Sequence, residues 1–263
     1  MALVLPQDIF IRKRSKPDRV LRKLMTSILD GTFGPGARLP AERDLVSQLG
    51  ASRVSVREAF RRLQDWRVIV TRKGSGAAVL PRRFWTGNAL PSVFMHGLSQ
   101  GDVDTLESLV ADGFGLRRSL VLELLSRAAG RVEPGDLDPV RSILDRAWAV
   151  RHDADAFYWT DWEVIPLVLE LAGMYPSLWV LNSLAECYLG VMIAVIQAIE
   201  VPASYRPAHR AVLDALEQGD AGAVRRHMVG YLDDLDEAII GVLPPELKKL
   251  FQKNEPTRIG ARR

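Results

Sequence analysis

Ser52-Arg53-Val54-Ser55-Val56-Arg57 brings two hydroxyls and two guanidinium groups into about a turn and a half of chain, if that chain is helical. Such a set suits a polyanion. A helix start offers unpaired N–H groups and the positive end of its dipole, so hydroxyls and arginines beside it meet phosphate oxygens and base edges. Arg43 upstream and Arg72-Lys73-Gly74 downstream extend the same chemistry. A glycine at Gly74 permits close backbone approach to a ligand. Arg61 and Arg62 lie further along and can follow a nucleic-acid backbone. Each part also has a plain structural use: exposed arginines are usually only solvated, and a hydroxyl at a helix start is usually a cap. The order of the parts along the chain is what points to DNA.

Charge points the same way. Residues 1–83 hold 18 Lys/Arg against 7 Asp/Glu, a net of +11, whereas the other 180 residues hold 17 against 25, a net of −8. The overall +3 hides this split. One end is built to meet a polyanion, nucleic acid or a membrane surface, and the other is not. The single cysteine, Cys187, excludes an intrachain disulfide and an all-cysteine metal site, which suits a reducing compartment and a cytoplasmic location. The apolar start Leu3-Val4-Leu5 is interrupted by Pro6-Gln7-Asp8 before a secretory core forms. The run Leu178–Ile199 comes nearest to a membrane span, but Asn182, Ser183, Glu186 and Gln197 interrupt it, so it reads as a buried central helix.

The elements that must position these residues can be read from periodicity. Asp18 to Asp30 places Val20, Leu21, Leu24, Ile28 and Leu29 on one helical face, and Gly31 ends it. A short helix follows over Ala41 to Leu49, stopped by Gly50. Ser52 can cap a third helix running to Asp65, with Val56, Ala59, Phe60 and Leu63 inward. Only Gly50 and Ala51 precede that cap, the tight turn of a helix-turn-helix. Val68-Ile69-Val70-Thr71 and Ala77-Ala78-Val79-Leu80 then flank a basic, glycine-rich tip, which makes a hairpin or wing.

Beyond Pro81 the composition changes. Helices are expected over 103–128, 136–148, 153–172, 177–200, 204–218 and 220–241, with Pro166 kinking one of them and Gly241 with Pro244-Pro245 ending the last. The expected fold is mainly α: an N-terminal winged helix-turn-helix over 1–80, a linker over 81–102, an all-helical bundle over 103–245, and a flexible tail over 246–263.

The run Leu39-Pro40-Ala41-Glu42-Arg43-Asp44-Leu45, with Leu49-Gly50-Ala51-Ser52-Arg53-Val54-Ser55-Val56-Arg57-Glu58-Ala59 and then Leu63, resembles the signature of the GntR family of transcription regulators. The resemblance implies that Arg43, Arg53 and Arg57 contact operator DNA and that Gly74 at the wing tip reaches the minor groove. It also implies a homodimer on a short palindromic operator of double-stranded DNA.

After residue 90 the chain resembles the FadR subfamily, a branch tied to fatty-acid metabolism. Phe84-Trp85 with Asn88, His152-Ala154-Asp155-Ala156-Phe157, Asp161-Trp162, Arg117 on the first effector helix and Gly219-Asp220 to Met228 carry that resemblance. It implies a C-terminal domain that binds a small-molecule effector, a fatty acyl-CoA or another carboxylate, with Arg117, Asp161, His209 and Tyr231 as candidate site residues. Many members of the family hold a metal through Asp-x3-His and two later histidines. Here Ile165 and Tyr231 stand at two of the four positions, so no metal and no cofactor is expected. Tyr231 and Leu235 also replace polar and aromatic residues that line the acyl-CoA site in that branch. Trp148, Tyr158, Trp159, Trp162 and Trp179 suit either a ligand box or a core, and the core is the commoner use.

Two other functions stay open at this point. One is an enzyme using Cys187 as a thiol nucleophile, although Leu184, Ala185, Leu189 and Val191 around it suit a buried small hydrophobe better. The chain has no phosphate loop, serine elbow or dinucleotide fingerprint. The other is an architectural DNA protein with a vestigial pocket.

Overall fold

The computed structural model describes residues 16–72, 76–195 and 199–251. The chain divides into two compact units, one containing residues 16–102 and the other residues 103–249.

The N-terminal unit begins with α1 (Lys16–Leu29), α2 (Glu42–Leu49) and α3 (Arg53–Asp65). Gly50 closes α2 in the left-handed region, at φ 58° and ψ 38°, and its N–H returns to the Val46 carbonyl. That conformation favours glycine and sets the sharp entry into α3. Ser52 caps α3 by accepting from the Ser55 N–H at 3.1 Å. Val20, Leu24, Leu45, Val56, Ala59 and Leu63 meet in one core.

Strands β1 (Ile69–Arg72) and β2 (Gly76–Val79) pair antiparallel, with Ile69 opposite Val79 and Arg72 opposite Gly76. The segment before α2 adds a third edge that the sequence reading missed. Arg38 bridges to Ala78, the Leu39 N–H donates to the Ala77 carbonyl and the Val79 N–H to the Ala37 carbonyl.

Residues 81–102, expected as a linker, instead form two 3₁₀ turns (Arg82–Phe84 and Gly87–Ala89) and α4 (Leu90–Gln100), all within the N-terminal unit. Helix α4 packs on α1 and fully buries Phe94. The indole N–H of Trp85 donates to the Leu80 carbonyl at 2.9 Å, which fixes the first turn to the end of the wing.

The C-terminal unit is all helical among its described residues: α5 (Val103–Ala128), α6 (Asp138–Ala149), α7 (Ala154–Asp161), α8 (Val164–Leu171), α9 (Tyr175–Val195), α10 (Tyr205–Glu217) and α11 (Ala221–Phe251). Its core joins Leu122 and Leu125 of α5, Val140 and Leu144 of α6, Val168 and Leu169 of α8, Val212 and Leu216 of α10, and Met228 and Leu232 of α11.

Two expectations are corrected here. The single helix over 153–172 is two helices, broken at Trp162 and Glu163. Pro166 therefore sits in the first turn of α8, where its missing N–H has no intrahelical partner to lose. The last helix runs past Gly241 and Pro244-Pro245 to Phe251. Prolines remove their own donors from such a helix and need not end it. Among the described residues, no helix is long and apolar enough to cross a membrane.

Candidate nucleic-acid interface and effector site

Helix α3 sorts its side chains by period. Val56, Ala59, Phe60 and Leu63 face the core, while Arg53, Val54 and Arg57 face solvent, Val54 with 75% of its surface exposed. An exposed valine on a helix start is free to meet an apolar base edge such as a thymine methyl. Arg53 and Arg57 have no ion-pair partner among the described residues, so no carboxylate competes for them. Arg43 projects from α2 with 86% of its side chain exposed and only a 3.4 Å contact to the adjacent Asp44. Arg72 ends β1 in the open. Lys73 and Gly74 lie outside the described residues.

Three residues fall elsewhere than the sequence reading put them. Ser55 is turned inward, 4% exposed, with its hydroxyl 2.9 Å from that of Ser52. The cap geometry draws it in, so Ser52 and Ser55 spend their hydroxyls mainly on each other. Arg62 is paired with Asp18 of α1 and lies 5.4 Å over the Trp66 ring. It ties α3 to α1. Arg61 is held by Glu58 at 2.8 Å and Asp65 at 2.8 Å along its own helix.

In the C-terminal unit, three of the four candidate effector residues meet around one that the sequence reading did not select, Tyr205. Its hydroxyl donates to Asp161 at 2.7 Å. Its carbonyl oxygen lies 2.7 Å from Nδ1 of His209. The Tyr231 ring stands 4.6 Å from the His209 ring and 5.7 Å from the Tyr205 ring. Trp148 stacks on Tyr205 at 6.1 Å and Phe157 meets its edge at 5.0 Å. The i, i+4 spacing of Tyr205 and His209 was the signal available in the sequence, since it puts both on one face of α10.

Burial dominates the electrostatics of this centre. It raises the Asp161 carboxyl above the usual range, against the opposing pull of His209, the Tyr205 hydroxyl and Arg117. It lowers His209, which is 7% exposed, against the pull of Asp161 and the Tyr205 carbonyl. It also raises the Tyr205 phenol, so that group stays protonated and remains a donor.

Arg117 of α5 reaches this centre electrostatically through Asp161, and it forms an ion pair with Asp236 of α11. Arg118 beside it engages Asp233 and, at 3.6 Å, Asp236.

These residues do not fit a divalent metal. Ile165 offers no lone pair, Asp161 already accepts the Tyr205 hydroxyl, and Tyr231 is a protonated phenol where a ligand would need an open lone pair. Among the described residues, no three His, Cys, Asp or Glu side chains gather as a metal-binding group. Of the aromatic residues set aside as box or core, Tyr158 and Trp159 are buried, whereas Trp179 is 63% exposed. The side chain of Cys187 lies outside the described residues.

Residues 16–79 match the family described as bacterial regulatory proteins, gntR family, and residues 112–234 match the FCD domain. The galactonate operon transcriptional repressor of Escherichia coli strain K12 is 34% identical over 145 residues, which cover 54% of this chain and 61% of that protein. The fatty acid metabolism regulator protein of Edwardsiella ictaluri is 30% identical over 168 residues, 64% of this chain and 67% of that protein. The HTH-type transcriptional regulator Mce2R of Mycobacterium tuberculosis is 26% identical over 239 residues, 89% of this chain and 95% of that protein. Among solved structures, E. coli McbR/YncC aligns over 92% of this chain at 19% identity, with a TM-score of 0.42. The two family matches fall one in each unit, and the chain therefore belongs to the GntR family of bacterial regulatory proteins, with an FCD domain after its winged helix: it is a DNA-binding transcription regulator.

Proposed function

We propose that the protein is a cytoplasmic, non-enzymatic homodimer that binds a palindromic operator and changes its operator affinity when an organic acid or acyl thioester enters the C-terminal bundle. The observation that carries the DNA half of this reading is the pair Arg53 and Arg57, exposed on a capped helix without carboxylate partners, with Arg43 and Arg72 on neighbouring elements. The test is fluorescence anisotropy with the duplex upstream of the protein's own gene. Wild-type protein binds it, and Arg53→Ala and Arg57→Ala do not. Wild-type affinity in both variants would remove the base-reading role.

The effector half rests on Asp161, Tyr205, His209 and Tyr231, a polar centre inside an apolar bundle, with Arg117 close enough to act on Asp161. An acidic effector would compete with Asp236 for the Arg117 guanidinium, and Tyr231 and Asp161 would orient its polar end. The names of relatives, a galactonate operon repressor and a fatty acid metabolism regulator, support an organic or fatty acid as ligand class. Such a ligand shifts operator affinity only if it binds two arrangements of the dimer unequally. Native mass spectrometry of freshly purified protein would reveal a co-purified acid and the oligomeric state together.

The homodimer is supported by α9. From Tyr175 to Ala185 the helix carries no charged residue, and Tyr175, Trp179 and Val180 are exposed on it. Leu171 at the end of α8 is exposed as well. An apolar face without charge meets a second copy of itself without like-charge repulsion and offers nothing to a polyanion.

A further inference from the structure

We propose that Arg38 is a phosphate contact on the wing, paired in function with Arg72. This rests on the DNA-binding reading and adds a site to it. The register of the sheet carries the argument. Arg38 bridges to Ala78, and Ala78 pairs with Val70, so the three side chains share one face in one row across the wing. Arg72 lies two residues beyond Val70 and therefore on that same face, opposite Gly76. The other face is the core face: Leu39, Ile69, Ala77 and Val79 are all buried there.

The outward face is thus a strip of small or half-covered residues, Val70, Ala78 and Gly76, with an arginine at each side. Nothing on it blocks the approach of a duplex. Arg38 is exposed and has no ion-pair partner among the described residues. Its backbone is held in place by the hydrogen bonds of Ala37 and Leu39 to β2, so the guanidinium starts from a rigid element and not from a loose loop.

From strand spacing and rise, the Cα atoms of Arg38 and Arg72 stand roughly 12 Å apart. A wing tip that enters a minor groove about 6 Å wide is flanked by two phosphate walls. Arg72, next to the tip, is placed to go in with it. Arg38, about two residues back on the third strand, is placed at the wall. A phosphate contact of this kind adds affinity and fixes orientation without reading sequence.

The experiment uses the full chain and a fluorescein-labelled, mixed-sequence duplex of about 30 base pairs, titrated between about 50 and 200 mM NaCl. Arg38→Ala should bind about three- to ten-fold more weakly at the low-salt end, with a log–log salt slope shallower by about 0.9. Arg38→Lys should keep the wild-type slope, and Arg38→Glu should bind more weakly still. An equal melting temperature for Arg38→Ala and wild type is expected for an exposed side chain. Wild-type affinity and slope in Arg38→Ala would overturn the proposal while leaving the DNA-binding reading intact. Weaker binding with an unchanged slope would overturn it too, because the loss would then not be electrostatic. A wild-type protein with no salt-dependent binding would remove the DNA-binding reading itself.

Discussion

The Tyr205 hydroxyl donates to the Asp161 carboxylate at 2.7 Å, and this bond ties the first turn of α10 to the end of α7 inside the helical bundle. Tyr205 is fully buried. Its removal therefore leaves a carboxylate in a low-polarity setting with one donor fewer. Tyr205→Phe should cost about 1–3 kcal/mol of stability, the usual penalty for an orphaned buried acceptor. Urea unfolding measures it, and an unchanged midpoint would show that the bond is incidental.

Asp161 and His209 give this centre opposite pH responses. Burial raises Asp161, so the native state favours its protonated form. The contribution is present below the unfolded value of 3.8 and is lost as pH rises through the folded value. Asp161→Asn keeps an acceptor for Tyr205 and removes the charge. It should melt higher than wild type at pH 7, with the gap closing as pH falls toward 4, where the wild-type carboxyl is neutral in both states. Burial lowers His209, so its contribution is present above 6.5 and is lost as pH falls from 6.5 through the folded value. Wild type should lose stability over that window, and His209→Gln should lose less. Thermal melts from pH 3.5 to 8 test both, and parallel curves for all three proteins would contradict the assignment.

Metal addition should leave the wild type unmoved. A ligand held only by the native state stabilises it by about 2.7 kcal/mol at a hundred times its dissociation constant. With Ile165 and Tyr231 at two of the positions, zinc or nickel at micromolar concentration should shift the melting temperature by less than the scatter of the measurement, and EDTA should not lower it. A metal-dependent rise abolished by Asp161→Asn would reverse the conclusion drawn from the donor set.

What the sequence made legible, and what it did not, divides along physical lines. The helix-turn-helix could be read because its signals are local: a glycine at φ 58°, a serine cap and a 3.6-residue apolar stripe are all set within a few positions. Arg62 could not be read correctly from local pattern. Its partner Asp18 lies on another helix, and only packing of α1 against α3 separates a structural arginine from a DNA-facing one. Ser55 misled for the same reason, since a cap residue and a phosphate ligand have the same side chain. In the bundle, Asp161, His209 and Tyr231 were found through resemblance, while Tyr205, which joins them, was overlooked although it stands one turn before His209. Helix α4 was missed because its helical pattern is short and opens on Leu90-Pro91, where proline reads as a break but serves as a first-turn residue.

The contrast between Arg62 and Arg57 gives a prediction in which stability and binding separate. Arg62→Ala removes a half-buried ion pair and a ring contact, and should cost about 1–3 kcal/mol of stability. Arg57→Ala removes a solvated guanidinium and should stay within about 0.5 kcal/mol of wild type. Operator affinity should respond the other way, with Arg57→Ala losing about 1–3 kcal/mol of base discrimination. Chemical denaturation and anisotropy on the same samples decide it. A strongly destabilised Arg57→Ala would mean that α3 depends on that side chain for folding.

Trp179→Glu tests the dimer and connects it to DNA. Trp179 is 63% exposed, pairs with the exposed Tyr175 at a ring distance of 6.4 Å, and sits on an uncharged face of α9. A carboxylate there would cost a monomer almost nothing, because the position is already in water. In a two-fold interface the same carboxylate meets its symmetry mate, and an apolar contact becomes a like-charge one. Light scattering should therefore show the wild type as a dimer and the variant as a monomer with an unchanged melting curve at low concentration. On DNA the consequence is larger than the interface itself. Two half-sites held by one dimer bind at an effective concentration set by their link, and separating the subunits forfeits about 10²–10⁴ in apparent affinity for the palindrome. Affinity for an isolated half-site should not change. A variant that remains dimeric, or that loses half-site and palindrome binding equally, would move the interface away from α9.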